Sequence, residues 1–557
     1  MHHGIFFEIP VSDAFGMESN TPESCSFNFL RTMGTGGHLL GHTELKKVLG
    51  LLDVISFGVS ATVGSGVFVS IGYIARYYTG PSLFLCFGVV LCAVLLSAFC
   101  FAEFSSKIRL SGMGYSYTYA TYGELVAFST GVVTFLSYCL GTAAVARGWG
   151  DYLRCFIHAA SGFEIPEALT SYRINEWLSL SLLAPGLCAA SALIAISGMK
   201  ESARIAKFLV VVNVSIMVLF VAYGLGKYGD VSNMTPLVLP DVGWVGVLKG
   251  SGLAFFCMIG WDLMCSMTEE MKNPVRDLPR GIISTLALVG LIYCGVSITL
   301  SCMVPNSLID PKAPVASAFL FHGDWTMYLL VSFVATSICM SNVLTGAIGP
   351  PRVVYTMASD GLLFKALSRV SAKAQVPRNA TLLCGGLNVL MSGCLDFHQL
   401  ASLTSCFSLI GYILVSGGIL ILRVKERSYS TNRVFLILCI FLFIVSSVVF
   451  QLEFLEIASP SWYVQYLGLA NGGTALLLFW VYFQQCAFSL SKKVLLLETK
   501  SPTFNAPLVP LTPMLAMWIN CFMLASLGRT AVGWSLLTLL GCAVVYFGYG
   551  ARHSRLR

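Results

Sequence analysis

The stretch Thr62-Val63-Gly64-Ser65-Gly66 interrupts an apolar run over residues 48–75, where a continuous helix would favour leucine or alanine. A second interruption, Phe256-Cys257-Met258-Ile259-Gly260, falls in the apolar run over residues 247–268. The two runs are the first and the sixth along the chain, so they lie five apart. Interrupted spans at matching positions of two five-helix halves are typical of the substrate site of a membrane transporter.

An interrupted membrane helix leaves backbone N–H and C=O groups without partners, and lipid cannot satisfy them. They must therefore face protein or a water-filled cavity. The half-helix that starts after Gly66 directs its positive N-terminal end at that cavity, which suits a carboxylate. Freed carbonyls in the sixth span suit an ammonium group, and a site with both suits an α-amino acid. The alternative is that the glycines only allow helices to pack closely.

The rest of the sequence is strongly apolar. Hydrophobic residues make up 56% of the 557 residues, charged residues only 11%, and the mean hydropathy is +0.78. A soluble chain needs more charge to cover its surface. Runs of about 20 apolar residues, each able to cross about 30 Å of hydrocarbon, recur along the chain. We therefore predict an all-α membrane protein with about 14 spans, at residues 48–75, 80–105, 122–147, 178–198, 205–226, 247–268, 281–304, 326–356, 380–396, 400–423, 434–452, 463–485, 511–528 and 531–549.

Several function classes are excluded by the same composition. The net charge of +7 does not indicate nucleic-acid binding, because the basic residues lie in short connectors and form no face or tail. The 19 cysteines are scattered without a CxxC pair, so we expect neither a metal site nor a cofactor. No nucleophile–base pair or phosphate-binding loop indicates an enzyme.

The orientation follows from the basic residues. With the N-terminus in the cytoplasm, 26 of the 34 lysines and arginines fall on the cytoplasmic side and 8 on the other. This bias predicts that both termini are cytoplasmic. We expect a disordered head at 1–45, a ten-helix core at 46–425, four further spans within 426–550 and a short tail at 551–557.

Several blocks of sequence, in order from about Leu51 to Ser554, resemble the cationic amino acid transporters of the amino acid–polyamine–organocation superfamily. The most specific blocks are TVGSGVFVSIG (62–72), GWDLMCSMTEEMKNPVRDLPRGI (260–282), PPRVVYTMASDGLLFKALSRV (350–370) and PLVPLTPMLAMWIN (507–520). The resemblance implies a LeuT-like fold, in which spans 1–5 and 6–10 form inverted repeats and four more spans follow.

The resemblance also implies roles for individual residues. Backbone N–H groups of Gly64, Ser65 and Gly66 would hold the substrate carboxylate. The amino group would be held by the backbone carbonyls of Thr62, Phe256, Cys257 and Ile259. Trp261 replaces the phenylalanine usual in the family and would shield the site as a gate.

Two further positions bear on substrate and coupling. Gly346 aligns with a position that a methionine fills in relatives restricted to small amino acids, so it leaves room for a long side chain; close helix packing is the alternative. Asn213 aligns with a lysine of proton-coupled relatives. An asparagine cannot exchange a proton there, so we predict transport without proton or sodium coupling.

No single acidic residue establishes cation selectivity. Glu103 could meet a basic substrate, or it could pair with Lys107 or Arg109. We expect Asp262 to be structural or gating, and Glu269 and Glu270 to form a cytoplasmic salt-bridge gate or a solvated loop. Arg147, at the outer end of the third span, is expected to snorkel to the membrane interface.

The expected partners are an amino acid substrate and membrane lipids. Cys155, placed in the outer loop after span 3, lacks the surroundings of the cysteine that binds a heavy-chain glycoprotein in light-chain relatives, so such a partner is not expected. Asn233 opens a glycosylation sequon in an outer loop, whereas the sequon at Asn379 falls in a cytoplasmic connector.

The leading functional hypothesis is facilitative uptake of arginine, lysine and ornithine by alternating access, most readily at the plasma membrane. A neutral or broad-range amino acid carrier, on the plasma or an internal membrane, is the first alternative. A non-transporting amino acid sensor is the second.

Overall fold

The computed structural model describes residues 49–554, except for 65, 109–111, 176–177, 198–202, 372–375, 428–432, 457–461 and 491–503. The predicted head at 1–45 therefore lies outside the described residues. Fourteen helical regions correspond in order to the fourteen predicted spans. They are Leu51–Thr62 with Gly66–Ser70, Ile71–Ile74 and Ala75–Thr79; Leu83–Lys107; Glu124–Ser161; Leu183–Ser197; Ala203–Tyr228; Gly243–Ala254 with Phe255–Met258 and Trp261–Glu270; Pro274–Met303; Trp325–Gly346 with Gly349–Ser359; Arg378–Cys394; Phe397–Arg427; Arg433–Glu456; Trp462–Leu490; Leu511–Ser526; and Arg529–Val545 with Tyr546–Gly550 and Ala551–His553.

Ten helical stretches of the described chain are long and apolar enough to cross a bilayer. Shorter helices account for the other spans, at Leu51–Thr62, Leu183–Ser197, Arg378–Cys394 and Leu511–Ser526. Strand pairing in the described part is limited to a short hairpin after span 3, in which Tyr172 lies opposite Leu180, and a single parallel bridge between Leu49 and Met271. The predicted all-α membrane fold is confirmed.

Four spans in the first half of the core pack on their counterparts in the second half. Span 3 packs along span 8, span 2 along span 7, and span 4 along span 9, while the broken segments of spans 1 and 6 meet each other. Each of these pairs joins helices five apart in order. This is the arrangement expected when an axis between two inverted repeats brings equivalent helices together.

Span 3 is longer than its sequence indicated. The helix continues past residue 147 to Ser161 and ends at Gly162, whose φ of 70° and N–H bond to the His158 carbonyl form a left-handed C-cap. Cys155 therefore lies on this helix, not in an outer loop as predicted. It is partly buried against the core.

The environment of Arg147 also differs from the prediction. It is 5% exposed and does not snorkel. Its Nε donates to the Ser392 carbonyl at 2.6 Å, and its terminal nitrogens donate to the carbonyls of Thr170, Ser179 and Gly393. These carbonyls come from the end of span 9 and from the hairpin region, so the guanidinium joins these two segments to span 3.

The four additional spans do not form a separate layer. Span 13 packs on spans 10, 11, 2 and 6, and span 14 packs on spans 3 and 10. The amide of Asn520 donates to the Ser97 hydroxyl at 2.7 Å, and the Tyr546 hydroxyl donates to the Glu124 carboxylate at 3.1 Å. The last two spans are therefore tied by buried polar contacts to the core that contains the two helix breaks.

Candidate substrate site

The two interruptions of helix lie against each other at the centre of the fold. Span 1 leaves helical geometry at Val63 (φ −79°, ψ 103°) and resumes at Gly66, and span 6 breaks at Ile259 and at Gly260, whose φ is 116°. A Cβ added at Gly66 would lie 2.7 Å from the Cα of Cys257. Close packing and helix interruption, posed above as alternatives, therefore occur together.

Side chains from other spans bind the carbonyls that the first break frees. The Asn342 amide donates to the Val63 carbonyl at 2.9 Å, and the Tyr293 hydroxyl donates to the Thr62 carbonyl at 3.1 Å. Just beyond the break, the Tyr152 hydroxyl donates to the Phe68 carbonyl at 2.7 Å. Spans 8, 7 and 3 therefore fix the unwound segment, as the polar backbone of a broken membrane helix requires.

A central cavity opens at this junction. It contains about 600 Å³ of empty space, a figure that includes the solvent at its open side. Its lining is formed by Ala61, Thr62, Gly64, Gly66, Ser137, Tyr138, Gly141, Thr142, Phe256, Ile259, Gly260, Leu263, Asn342, Thr345, Gly346 and Thr404. None of these residues is charged, so backbone dipoles, hydroxyls and one amide supply the polarity of the cavity.

Six of the residues assigned to the site by resemblance line this cavity. They are Thr62, Gly64, Gly66, Phe256, Ile259 and Gly346. Ser65 lies outside the described residues. Cys257 is buried behind the lining with its Cα against Gly66, and Trp261 is fully buried against Phe101 and Tyr412.

Asn213 does not line the cavity. Its side chain is buried on span 5, and its Oδ1 atom has no hydrogen-bond partner.

Glu103 lies away from the central cavity. Glu103, fully buried, accepts from Lys107 at 2.7 Å, from Arg423 at 2.6 and 2.8 Å, and from the Ala506 N–H at 2.8 Å. These contacts occupy the carboxylate with protein groups, and they join span 2 to span 10 and to the segment before span 13. Arg109, the other partner considered, is outside the described residues.

Glu270, at the end of span 6, also lies outside the central cavity. Glu270 forms no ion pair within the described part of the chain, and its carbonyl accepts from the Leu49 N–H at 3.1 Å. The side chain of Glu269 is outside the described residues. Asp262 lines a second, neighbouring cavity.

Sequence reasoning missed the polar lining contributed by spans 3 and 8. On span 8, Thr345 and Gly346 lie three and four positions after Asn342. On span 3, Ser137 and Tyr138 lie one helical turn before Gly141 and Thr142. Small and polar residues three and four apart within apolar spans mark one helix face, and such a face in a membrane helix indicates contact with another helix or with a cavity. That periodicity was readable in the sequence.

Comparison with known proteins agrees with this geometry. The sequence profile described as amino acid permease matches residues 49–490, and the profile of the C-terminus of that family matches residues 504–554. The chain belongs to the amino acid permease family. The two matches together cover both the ten-helix core and the last two spans of this permease.

Individual relatives resemble the permease along most of its length. The human protein named cationic amino acid transporter 4 is 31% identical over 577 residues, covering 92% of this chain and 88% of the relative. The Arabidopsis thaliana proteins named cationic amino acid transporter 1 and cationic amino acid transporter 3, mitochondrial, are 30% and 35% identical. They cover 91% and 69% of this chain, and 82% and 63% of their own lengths. The predicted family is confirmed, and the permease is a multi-pass membrane protein.

Proposed function

We propose that this permease carries cationic amino acids (arginine, lysine and ornithine) across its membrane by facilitative alternating access. One observation supports this most: an uncharged cavity lies where two broken spans meet, in a chain similar to proteins named cationic amino acid transporters. Backbone N–H groups of Gly64, Ser65 and Gly66 hold the α-carboxylate. The carbonyls of Thr62, Phe256, Cys257 and Ile259 receive the α-ammonium group.

The carbonyl of Thr62 already accepts from Tyr293. A carbonyl oxygen has two lone pairs, so it keeps one for the substrate. Because Gly346 places no side chain in the cavity, the space beside it accommodates a long substrate side chain. Transport of neutral amino acids is the second candidate, and the absence of charge among the lining residues favours it.

The proposal that transport is not coupled to an ion rests on Asn213 in span 5. Asn213 offers no proton to exchange, so the carrier runs as a uniporter and the membrane potential alone drives a cationic substrate inward. One charge across 100 mV is worth about 2.3 kcal/mol, or about fifty-fold accumulation.

Uptake of labelled arginine and labelled alanine into the same cells tests this proposal. We expect saturable arginine uptake that falls when potassium depolarises the membrane and hardly changes when sodium is replaced. Alanine uptake that exceeds arginine uptake would establish the neutral carrier instead. Binding of either amino acid without uptake would indicate a sensor. A strong stimulation by a proton gradient at clamped voltage would contradict uniport.

We also propose that both termini are cytoplasmic and that the permease acts at the plasma membrane. Names of relatives include vacuolar and mitochondrial forms, so imaging of the tagged chain is the direct check. The sequon at Asn233 supports an outer position for the loop after span 5. Its amide nitrogen donates to the Cys302 carbonyl at 2.9 Å, and a glycan would take the place of one of its two hydrogens.

Glycosidase digestion tests this orientation. We expect digestion to increase the gel mobility of the wild type and of Asn379→Gln, and to leave Asn233→Gln unchanged, because only the loop at Asn233 reaches the glycosylating compartment. The reverse pattern, with the shift lost only in Asn379→Gln, would invert the topology.

A further inference from the structure

The break in span 1 begins at a carbonyl that is well placed to attract a cation. Val63 caps the half-helix Leu51–Thr62, and its N–H donates to the Val59 carbonyl. Its own carbonyl therefore lies at the C-terminal end of that half-helix, where the helix dipole concentrates negative charge. In ion-coupled transporters with broken helices, carbonyls freed at such ends bind the coupling sodium ion or proton.

In this permease the Val63 carbonyl already has a donor. The Nδ2 atom of Asn342 on span 8 donates to it at 2.9 Å. Val63 is 2% exposed, so without this bond the carbonyl would be left unsatisfied in a buried environment. Among the described residues that line the cavity, none is a lysine, an arginine or a histidine. A neutral amide therefore provides the positive hydrogen that a cation would otherwise supply.

Both spans are suited to this contact. A Cβ at Gly64 would overlap the Nδ2 atom of Asn342, so a larger residue there would push the amide away from the carbonyl of Val63. Asn342 lies one helical turn before Gly346, on the face of span 8 that lines the central cavity. The glycine of span 1 and the asparagine of span 8 together make the bond possible.

We propose that Asn342 is a positioning residue that takes the place of a coupling cation. Because the amide is part of the chain, it holds the unwound segment of span 1 in its binding geometry without an ion having to bind first. Asn213 offers no proton to exchange at span 5, and Asn342 removes the need for an ion at span 1. The proposal rests on the proposed uniport and names the residue that makes it possible.

Asn342→Asp tests this role, because it exchanges the donor for a carboxylate of nearly the same shape. Two oxygens then face each other, and a proton or a sodium ion is needed to join them. At low pH the new carboxyl carries an O–H group, which donates as the amide does. Among its described residues, the cavity lining holds no charged residue and one titratable side chain, Tyr138, and residues 58–71 of span 1 contain none. A pH dependence that appears only in the variant therefore belongs to the new carboxyl.

Full-length wild type and variants are reconstituted in liposomes at clamped voltage, and uptake of the labelled amino acid that the wild type carries is measured. The series runs from about pH 5 to about pH 8, in sodium and in potassium. At high pH in potassium, we expect Asn342→Asp to lose at least about tenfold, as a buried carbonyl without its donor would. At low pH or in sodium, its uptake should recover to within about threefold of the wild type.

Two variants serve as controls. Asn342→Ala removes the donor without adding a titratable group, so its uptake should stay low under every condition. Asn379→Asp makes the same chemical change in an exposed contact away from the cavity, where the amide donates to the Ala366 carbonyl at 2.7 Å. Uptake by Asn379→Asp and by the wild type should change by less than about twofold across the series.

Uptake by Asn342→Asp that is normal under every condition, or as low as that of Asn342→Ala under every condition, would overturn the role of Asn342. If Asn342→Asp does not fold, Asn342→Ser decides, because its hydroxyl is a neutral donor, directly or through a water. Uptake above that of Asn342→Ala without ion dependence supports the role, and uptake equal to it contradicts the role. Stimulation of the wild type by sodium or by protons would instead refute the proposed uniport. Binding without uptake by the wild type would refute the carrier, and the same series is then measured as substrate affinity.

Discussion

Replacing Gly66 by alanine is expected to lower amino acid uptake by about a hundredfold, the loss that a displacement of about 1 Å can cause in a positioned site. The added Cβ would lie 2.7 Å from the Cα and 2.9 Å from the Cβ of Cys257. Both contacts involve main-chain or directly attached atoms, so no side-chain rotation relieves them. The two broken segments must separate, and the carbonyls and N–H groups that face the cavity move with them.

Uptake is measured per molecule at the cell surface, so that a trafficking defect is not mistaken for a transport defect. Gly88→Ala is the control, because a Cβ at Gly88 on span 2 has no heavy atom within 4 Å. Adding Cys257→Gly to Gly66→Ala should not restore uptake, since the contact with the Cα remains. Normal uptake by Gly66→Ala would mean that the broken segments are not as close as described.

Replacing Gly346 by methionine is expected to reduce arginine uptake at least several-fold and to leave alanine uptake intact or raised. The glycine lines the central cavity, so a methionine side chain fills space that a long substrate needs and a short one does not. A one-methylene difference in a pocket is worth about 10- to 200-fold in discrimination, so a several-fold selective loss is a moderate expectation. Uptake of both amino acids is measured at equal surface expression.

Packing offers a different explanation, because any Cβ at Gly346 would also contact the hydroxyl of Thr142. Gly346→Ala separates the two effects, since it makes the contact without filling the cavity. Gly386→Met, on span 9 where a Cβ has no neighbour within 4 Å, controls for the methionine itself. Equal losses of arginine and alanine uptake in Gly346→Ala and Gly346→Met would assign the position to packing. Unchanged arginine uptake in Gly346→Met would remove it from the pocket.

Local sequence was sufficient to predict the features that arise within single spans. The breaks at Thr62–Gly66 and at Phe256–Gly260 are visible because glycine and polar residues interrupt otherwise apolar runs. The order and approximate bounds of the spans follow from hydropathy. The end of span 3 was misplaced, because Asp151 and Arg154 stop the apolar pattern while the helix, covered by its neighbours, continues to Gly162.

Contacts between distant segments were beyond the reach of this reasoning. Pairing with Lys107 was one of the two interpretations of Glu103, and the structure contains that pair, but the other partners of Glu103 are Arg423 and the backbone of Ala506. The amide of Asn342 reaches Val63, 279 positions away. Hydropathy and helix periodicity contain no information about which remote residues meet, so these partners come only from the assembled fold.

The environment of Arg147 has a consequence for how this permease handles positive charge. The described chain holds one guanidinium in its interior with four carbonyl oxygens and one hydroxyl, and with no carboxylate within 4 Å. Oriented dipoles therefore make the direct contacts of this arginine side chain, and the carboxylates of Asp151 and Asp396 act on it from a longer distance. A dipole, unlike a fixed anion, leaves no stranded charge when the cation departs. A carrier whose central site uses dipoles can return empty through the membrane with a smaller electrostatic barrier than one that must bury a bare carboxylate.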